Sequence, residues 1–163
     1  METDNNKNYN EMDLLILNEN DAKKVLVTLN PDGTPHAVFK SSMHYDHKRK
    51  VIIYLEYIES SKTNRNMVHA LWNDLSIYCL VSTKNGKSIQ IVGKPYWVVI
   101  SGSEFQYYYA MADRVGLDLS AVWFIHPVSS RIETMETRIQ EEINEHPMLI
   151  HLDKLVKERK NEP

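Results

Sequence analysis

Cysteine is almost absent from the sequence, and this absence excludes two classes of small protein. Cys79 is the only cysteine among 163 residues, so neither an intramolecular disulfide nor a zinc site built from cysteines can form. Its neighbours in the segment LSIYCLVS are mostly apolar. They predict a buried, unreactive thiol rather than a redox-active one.

Long apolar runs and an excess of basic charge are also absent. The longest run without a charged residue covers 119–130, well short of the roughly 20 apolar residues that cross a bilayer. The first residues are acidic and polar, unlike a secretory signal. With 19 basic and 22 acidic residues the net charge is -3, and no basic stripe indicates a nucleic-acid partner. We expect a cytoplasmic protein that contacts neither membranes nor nucleic acids.

What is present is the composition of one globular domain. Hydrophobic residues make up 42% of the chain and charged residues 25%, both close to globular averages. Residues 1–10 predict a disordered N-terminal segment, 11–130 the folded domain, and 131–163 a C-terminal helical extension. The extension has apolar residues at helical intervals, interrupted by His146 and Pro147. We therefore expect two amphipathic helices that pack on the domain or on a dimer.

The alternation of apolar segments and turns predicts a mainly β (α+β) fold with flanking helices. The continuous apolar start of 51–57 indicates a strand buried on both faces. Consecutive strands without alternating helices favour a six-stranded antiparallel split β-barrel over a doubly wound sheet. The six predicted strands cover 25–30, 35–45, 51–57, 75–83, 88–101 and 121–129.

Local signals place turns and helices between these strands. The Pro-Asp-Gly-Thr sequence at 31–34 predicts the first hairpin turn, and Asn85 with Gly86 predicts a type I′ turn. Helical spacing predicts three helices, which cover 12–17, 60–72 and 103–116. Gly116 is expected to close the third helix at its C′ position.

Segment 54–67 carries the most informative group of polar residues. It joins the end of a buried strand to the start of a helix, and this helix start contains three Ser or Thr hydroxyl groups, a lysine, an arginine and two amides. The start of a helix has free N–H groups and a partial positive charge, so a phosphate can bind there, and Lys62 adds a full charge. The alternative is that Ser60 or Ser61 only caps the helix while Lys62 is solvated.

This segment and its neighbours resemble the FMN-binding split barrels of the pyridoxamine 5′-phosphate oxidase-like superfamily. In that family a strand is followed by Ser-x-Lys or Ser-x-x-Thr and then by an Asn about one turn later. Ser60, Lys62, Thr63 and Asn66 occupy these places. The hairpin LVTLNPDGTPHAVF is similar to the first two strands of the family, and IQIVGKP to the fifth. The resemblance covers 25–99, with a weaker match at AVWFIHP.

The resemblance implies an FMN site at the interface of a homodimer. Ser60, Ser61, Lys62 and Thr63 would hold the phosphate, and Asn66 would fix the helix start. Other residues would line the ribityl chain and ring edge, and these are Lys40, Ser41, Ser42, Tyr54 and Leu55. A third group would act across the dimer interface, and it consists of Ser88, Gln90 and Trp123.

The resemblance also implies an oxidoreductase that acts on a small molecule. Bound FMN would carry hydride or electrons, so no catalytic side chain is named. Pro35 and His36 stand where true pyridoxamine phosphate oxidases have an arginine, and one extra residue separates Tyr54 from the Ser60 loop. The ending KERKNEP also lacks their Arg-Leu-Ala-Pro-like sequence. A flavin reductase or other NAD(P)H-linked enzyme therefore fits better, although no G-x-G-x-x-G fingerprint is present.

One alternative to an enzyme stays open. A non-enzymatic flavin or haem binding protein, a sensor or a store, would use the same fold, with His126 or a histidine of the tail as an axial haem ligand. His44 and His47 have a spacing seen in metal sites, but the expected turn between them and the lack of a third ligand argue against a metal.

Overall fold

A computed structural model describes residues 8–147 of the chain. Within this range the chain forms four α-helices, one 3-10 helix and seven β-strands. The helices are α1 (Glu11–Leu14), α2 (Lys62–Trp72), α3 (Gly102–Asp113) and α4 (Met135–Glu145), and the 3-10 helix covers Leu15–Asn18. The strands are β1 (Lys23–Leu29), β2 (Pro35–Phe39), β3 (His44–Asp46), β4 (Val51–Glu56), β5 (Ile77–Ser82), β6 (Ser88–Val99) and β7 (Ala121–Ile132).

The strands form one antiparallel sheet in the order β2-β1-β5-β6-β7-β4-β3. A mainly β fold with flanking helices was predicted, and the structure has this architecture. The predicted six-stranded barrel is wrong, because the sheet has seven strands and its two edge strands do not pair with each other.

The seventh strand arises because the predicted strand 35–45 divides into β2 and β3, which lie at opposite edges of the sheet. Pairing with β1 ends where Lys40 N donates to Lys24 O at 2.9 Å. The Lys24 ammonium group then donates to the carbonyl oxygens of Ser41 and Met43. These two bonds hold the chain as it leaves β1, and no proline or glycine marks the break in the sequence.

The short connection between the edge strands forces the sheet to curl. Six inter-strand spacings make a flat seven-stranded sheet about 29 Å wide, whereas the five Cα–Cα steps from Phe39 to His44 reach at most about 19 Å. Side chains then join residues 40–42, which follow β2, to the end of β4. Ser42 Oγ donates to Leu55 O at 2.7 Å, and Lys40 Nζ lies 3.2 Å from Glu56 Oε2. We call this line of contacts the seam.

The β1–β2 and β5–β6 hairpins use the same turn. In each loop the first residue donates its N–H to the carbonyl of the fifth, and the glycine donates its N–H back to the carbonyl of the first. Gly33 and Gly86 have φ angles of 80° and 82°. This is the loop in which a left-handed glycine follows a type I turn. The predicted type I′ turn is wrong, because Asn85 does not have the positive φ that it requires.

Apolar side chains form two clusters on opposite faces of the sheet. The inner cluster fills the curled sheet and includes Tyr54, Cys79 and Trp123. The outer cluster packs Tyr108 and Ala112 of α3 against β4 and β7. All six residues of β4 are buried, which confirms the predicted burial on both faces. Cys79 is buried, as predicted, and burial raises the pKa of its thiol to about 12.

Helix α3 is followed by the predicted glycine stop. Gly116 N donates to Asp113 O at 2.9 Å, and Leu117 N donates to Ala112 O at 3.1 Å. Gly116 has a φ of 72°. The two bonds and the left-handed glycine form a Schellman motif with Gly116 at C′.

The two ends of the described range both contact the sheet region. Asn8 pairs with Ser129 of β7, so 8–10, the described part of the segment predicted to be disordered, are attached to the domain. Helix α4 is one of the two predicted tail helices, and the second lies outside the described residues. None of the described helices has the length and apolar character needed to cross a membrane.

Candidate cofactor site at the start of helix α2

Helix α2 begins after the N-cap residue Ser61, which also ties the helix to β4. Ser61 Oγ accepts a hydrogen bond from Asn64 N at 2.9 Å and donates one to Glu56 Oε2 at 2.7 Å. Capping by Ser61 is therefore confirmed, and Lys62 is exposed. The N–H groups of Lys62 and Thr63 have no intrahelical acceptor. The start of α2 thus keeps the partial positive charge that favours an anion.

A buried carboxylate lies behind the start of α2. Glu56 is only 1% exposed and accepts hydrogen bonds from the Tyr54 hydroxyl and from the N–H groups of Tyr57 and Ile58, the last two at 3.1 Å. Lys40 Nζ lies 3.3 and 3.2 Å from its two carboxylate oxygens. We call this carboxylate and the side chains that bind it the Glu56 cluster. Those side chains are Lys40, Tyr54 and Ser61.

The contacts of this cluster keep Glu56 ionised. Burial alone would raise the pKa of the carboxyl group, but hydrogen bonds from Tyr54, Ser61 and the Ile58 N–H, with the charge of Lys40, outweigh burial and lower the pKa. Burial and the neighbouring carboxylate raise the pKa of Tyr54, which therefore stays a donor. Glu56 was not among the predicted site residues. The sequence feature that could have indicated Glu56 is an acidic residue at the end of VIIYLE, a run expected to be buried on both faces.

An open groove lies on another side of the α2 start, beside the β1–β2 turn. It has a volume of about 420 Å³, and it is lined by Asn30, Pro31, Asp32, Thr34, Lys62, Arg65 and Asn66. We call it the α2 groove. Lys62 and Arg65 are exposed, and across residues 8–147 neither side chain forms a hydrogen bond or a salt bridge. Asp32, the acid among the lining residues, accepts hydrogen bonds from the Thr34 N–H and hydroxyl group, which lower its pKa.

Buried polar side chains fix the helix beside this groove. Asn66 Nδ2 donates to Thr28 Oγ1 and Asn30 Oδ1, both at 3.0 Å, so it anchors the first turns of α2 on β1. Thr63 is 2% exposed, and its hydroxyl oxygen lies 3.3 Å from His36 Nε2. Burial lowers the pKa of His36, and the charges of nearby Lys62 and Lys40 lower it further.

Most of the predicted site residues lie at this end of the sheet. Ser42 and Leu55 meet at the seam, whereas Ser41 and Ser60 are exposed. Trp123 is 1% exposed, and its Nε1 donates to Asn64 Oδ1 of α2 at 2.9 Å. Trp123 therefore contacts the helix start of its own chain.

Ser88 and Gln90 lie apart from this group. They belong to the start of β6, where Ile89 pairs with Ile132, whereas Trp123 pairs near the other end of β6. Ser88 also lines a cavity of about 470 Å³ beside α1 and the 3-10 helix. Their contribution to a pocket of a second subunit stays a prediction.

His126 and His44, the histidines considered as haem or metal ligands, lie in separate environments. His126 is exposed and stacks on Tyr96, with 3.7 Å between ring centroids. His44 is half-buried, and its Nδ1 lies 3.2 Å from Ser42 O. Among the residues that the structure describes, no three His, Cys, Asp or Glu side chains are placed to share a metal ion.

Comparison with known proteins identifies the fold but not a family. No family model and no curated protein matches the sequence. An FMN-binding protein from Syntrophomonas wolfei subsp. wolfei is similar in structure, with 15% identity, a TM-score of 0.62 and coverage of 77% of this chain and 86% of that one. The Group A Streptococcus protein HupZ is 18% identical, with a TM-score of 0.61 and coverage of 77% of this chain and 95% of that one. An F420 reductase is 17% identical, with a TM-score of 0.54 and coverage of 77% of this chain and 98% of that one. At these identities the likeness shows a shared fold alone.

Proposed function

We propose that this chain is an FMN-binding flavoprotein of the pyridoxamine 5′-phosphate oxidase-like superfamily and an oxidoreductase that acts on a small molecule. The observation that carries the proposal is the α2 groove, where Lys62 and Arg65 lie at a helix start and their side chains form no hydrogen bond or salt bridge among residues 8–147. A dianionic phosphate is the type of group that such a site binds. The fold shared with an FMN-binding protein supports the same reading.

The residues at the groove fit a phosphate in charge and in donor type. The side chains of Lys62 and Arg65 line the groove and can donate to an anion. The N–H groups of the first turn of α2 and the exposed Ser60 hydroxyl would add further donors. The Thr34 bonds lower the pKa of Asp32, so Asp32 keeps a negative charge that opposes an anion, but the two cations Lys62 and Arg65 line the same groove. When bound, FMN supplies hydride or electron transfer. The chain would bind the phosphate, orient the ring and exclude water.

A homodimer would complete the site. On β2 His36 faces α2, and Lys40, the residue after the strand, binds Glu56, whereas Phe39 is 74% exposed on the other face. Phe39 is opposite Val25, which is opposite Leu80 on the next strand. This row is an apolar outer face of β2, β1 and β5 with no cover from the described chain. We infer that a second copy covers it and that the flavin lies at the interface.

Absorbance spectra of the purified protein test the cofactor. Flavin maxima, after addition of FMN where needed, support the proposal, and steady NAD(P)H oxidation by the loaded protein then distinguishes an enzyme from a flavin store. A Soret band would support the haem alternative, for which exposed His126 is the candidate ligand. Binding of neither cofactor would reject the proposed function.

Removal of the Lys62 charge tests the phosphate site directly. Lys62→Ala should lower FMN affinity roughly 10- to 150-fold, because it removes a charge-assisted hydrogen bond of about 1.5 to 3 kcal/mol. Riboflavin affinity should stay unchanged, since riboflavin has no phosphate. Lys84→Ala, an exposed lysine in the β5–β6 loop, is the matched control. Equal losses for FMN and riboflavin would place Lys62 elsewhere than at the phosphate.

A further inference from the structure

The donors at the start of α2 fall into two sets with different partners. One set is directed at a single carboxylate: the N–H groups of Tyr57 and Ile58, the Ser61 hydroxyl and the Lys40 ammonium group all bind Glu56. The other set, at Lys62 and Arg65, faces the α2 groove. The side chains of Lys62 and Arg65 donate to no acceptor among residues 8–147, whereas every group of the first set donates to Glu56.

The first set already holds an anion. A carboxylate has about four lone-pair sites, and with the Tyr54 hydroxyl Glu56 receives bonds from five groups. The carboxylate is 1% exposed and Lys40 is 18% exposed, so this charge pair is held largely away from water. A phosphate in the same place would meet a fixed negative charge at short range, which is unfavourable.

We propose that Glu56 is a positioning residue of the cofactor site: it occupies the anion-binding donors of segment 57–61 and the charge of Lys40, so that a cofactor phosphate binds at the α2 groove. This inference rests on the proposed function. It follows that the two lysines near the start of α2 have different roles. Lys62 binds the phosphate, whereas Lys40 neutralises Glu56 and contributes nothing specific to the phosphate.

The ratio of FMN affinity to riboflavin affinity distinguishes these roles, because the two ligands differ only in the phosphate group. Lys40→Met should change the ratio by less than about twofold, whereas Lys62→Ala should lower it roughly 10- to 150-fold. In Glu56→Gln, Lys40 is released and the local negative charge is lost, so the ratio should rise about threefold to tenfold. Adding Lys40→Met to Glu56→Gln should cancel this rise.

A purely structural role for Glu56 would not produce that pattern. Loss of stability in Glu56→Gln would lower FMN and riboflavin binding together and leave the ratio unchanged. A fall of about tenfold or more in the ratio for Lys40→Met alone would place Lys40 at the phosphate and overturn the proposal. No rise in the ratio for Glu56→Gln would overturn it as well.

A second measurement is independent of flavin binding. In the ligand-free protein, the NMR amide proton signals of Tyr57 and Ile58 should shift together as the pH falls through the titration of Glu56. They should not shift in this way in Glu56→Gln. Signals that do not titrate together would reject Glu56 as the acceptor for this segment. If the wild type binds no flavin, the proposed function and the positioning role of Glu56 both fail, and the amide titration then shows only whether Glu56 accepts the hydrogen bonds of Tyr57 and Ile58. If the wild type binds FMN but the ratio does not follow the expected pattern, the positioning role alone fails.

Discussion

Strands β4 and β5 have similarly apolar sequences, VIIYLE and IYCLVS, but different surroundings. All six residues of β4 are buried, because the inner cluster covers one face and α3 the other. On β5 only alternate residues are buried, and Tyr78 and Leu80 remain 39% and 44% exposed. A strand that is apolar on both faces is typical of two-sided burial. In the proposed dimer, the second copy supplies the cover that β5 lacks on its outer face.

This comparison divides the outer surface into two parts. The covered half is the outer face of β4 and β7 under α3, and the bare half is the outer face of β2, β1 and β5. We therefore expect substitutions in the covered half to change the folding of one chain. Substitutions in the bare half change its association.

The largest expected effect belongs to the covered half. Phe124→Ala should lower the free energy of unfolding by about 3–5 kcal/mol, because Phe124 is 2% exposed and packs beside Tyr108. Tyr78→Ala, in the bare half, should change unfolding of the monomer by less than about 1 kcal/mol. Urea denaturation of both variants at low protein concentration measures the difference. Equal losses would show that the two halves are equally covered by the chain itself.

The next effect concerns association through the bare half. Leu80→Asp should weaken dimerisation at least about 30-fold, since burial of an unpaired carboxylate in an apolar interface is unfavourable. Light scattering at micromolar concentration should show a dimer for the wild type and a 19.0 kDa particle for the variant. Leu117→Asp is a matched control, because Leu117 is 43% exposed but lies after α3. A monomeric wild type would contradict the inferred cover.

The third effect concerns the seam that joins β2 of the bare half to β4 of the covered half. The folded-state pKa of Glu56 lies below its ordinary value of 4.5. Its contribution to stability is therefore complete above that value and is lost as the pH falls through the folded pKa. Glu56→Gln should cost about 1.5 to 3 kcal/mol at pH 7 and should lose less stability than the wild type on acidification.

Urea midpoints at pH 7 and pH 3 measure this loss. Glu104→Gln serves as the control, because Glu104 forms an exposed salt bridge with Arg49, and such pairs contribute at most about 1 kcal/mol. An equal loss on acidification in the wild type and Glu56→Gln would show that Glu56 does not stabilise the seam.

The smallest effect sharpens the boundary of the bare half. Trp72 is 82% exposed at the end of α2, so Trp72→Ala should change the free energy of unfolding by no more than about 0.5 kcal/mol. It should also leave the dimer intact. Dissociation of the dimer by this substitution would extend the interface from the sheet face onto α2.

The sequence predicts those features that depend on neighbours in the chain. The burial of β4, the start of α2 after Ser61 and the glycine stop at Gly116 all follow from local patterns. The division of the predicted strand 35–45 does not, because it depends on the Lys24 side chain of another strand. In the second hairpin, the loop contains the predicted Asn-Gly pair, but the backbone hydrogen bonds select a different turn.

In the candidate site, too, residues of a local motif were predicted, and a residue whose contacts come from other strands was not. Lys62 and Asn66 could be found from the motif, and their surroundings place them beside the α2 groove. Lys40, Tyr54 and Ser61 were predicted as site residues, but Glu56, which binds all three, was missed. The four residues come from the segment after β2, from β4 and from the start of α2, and they meet only when the sheet curls. An acidic residue at the end of an apolar strand gives no indication of a lysine on another strand.

The strand order has a consequence for how the chain folds. The β1–β2 and β3–β4 hairpins join neighbouring strands, and only residues 40–43 separate them in the chain. In the folded sheet, however, β5, β6 and β7 lie between these hairpins. The sheet is complete only when Leu26 meets Cys79 and Glu56 meets Ala121, each pair distant in sequence. Such non-local contacts are typical of mainly β domains that fold in milliseconds to seconds, and we expect this chain to fold on that scale.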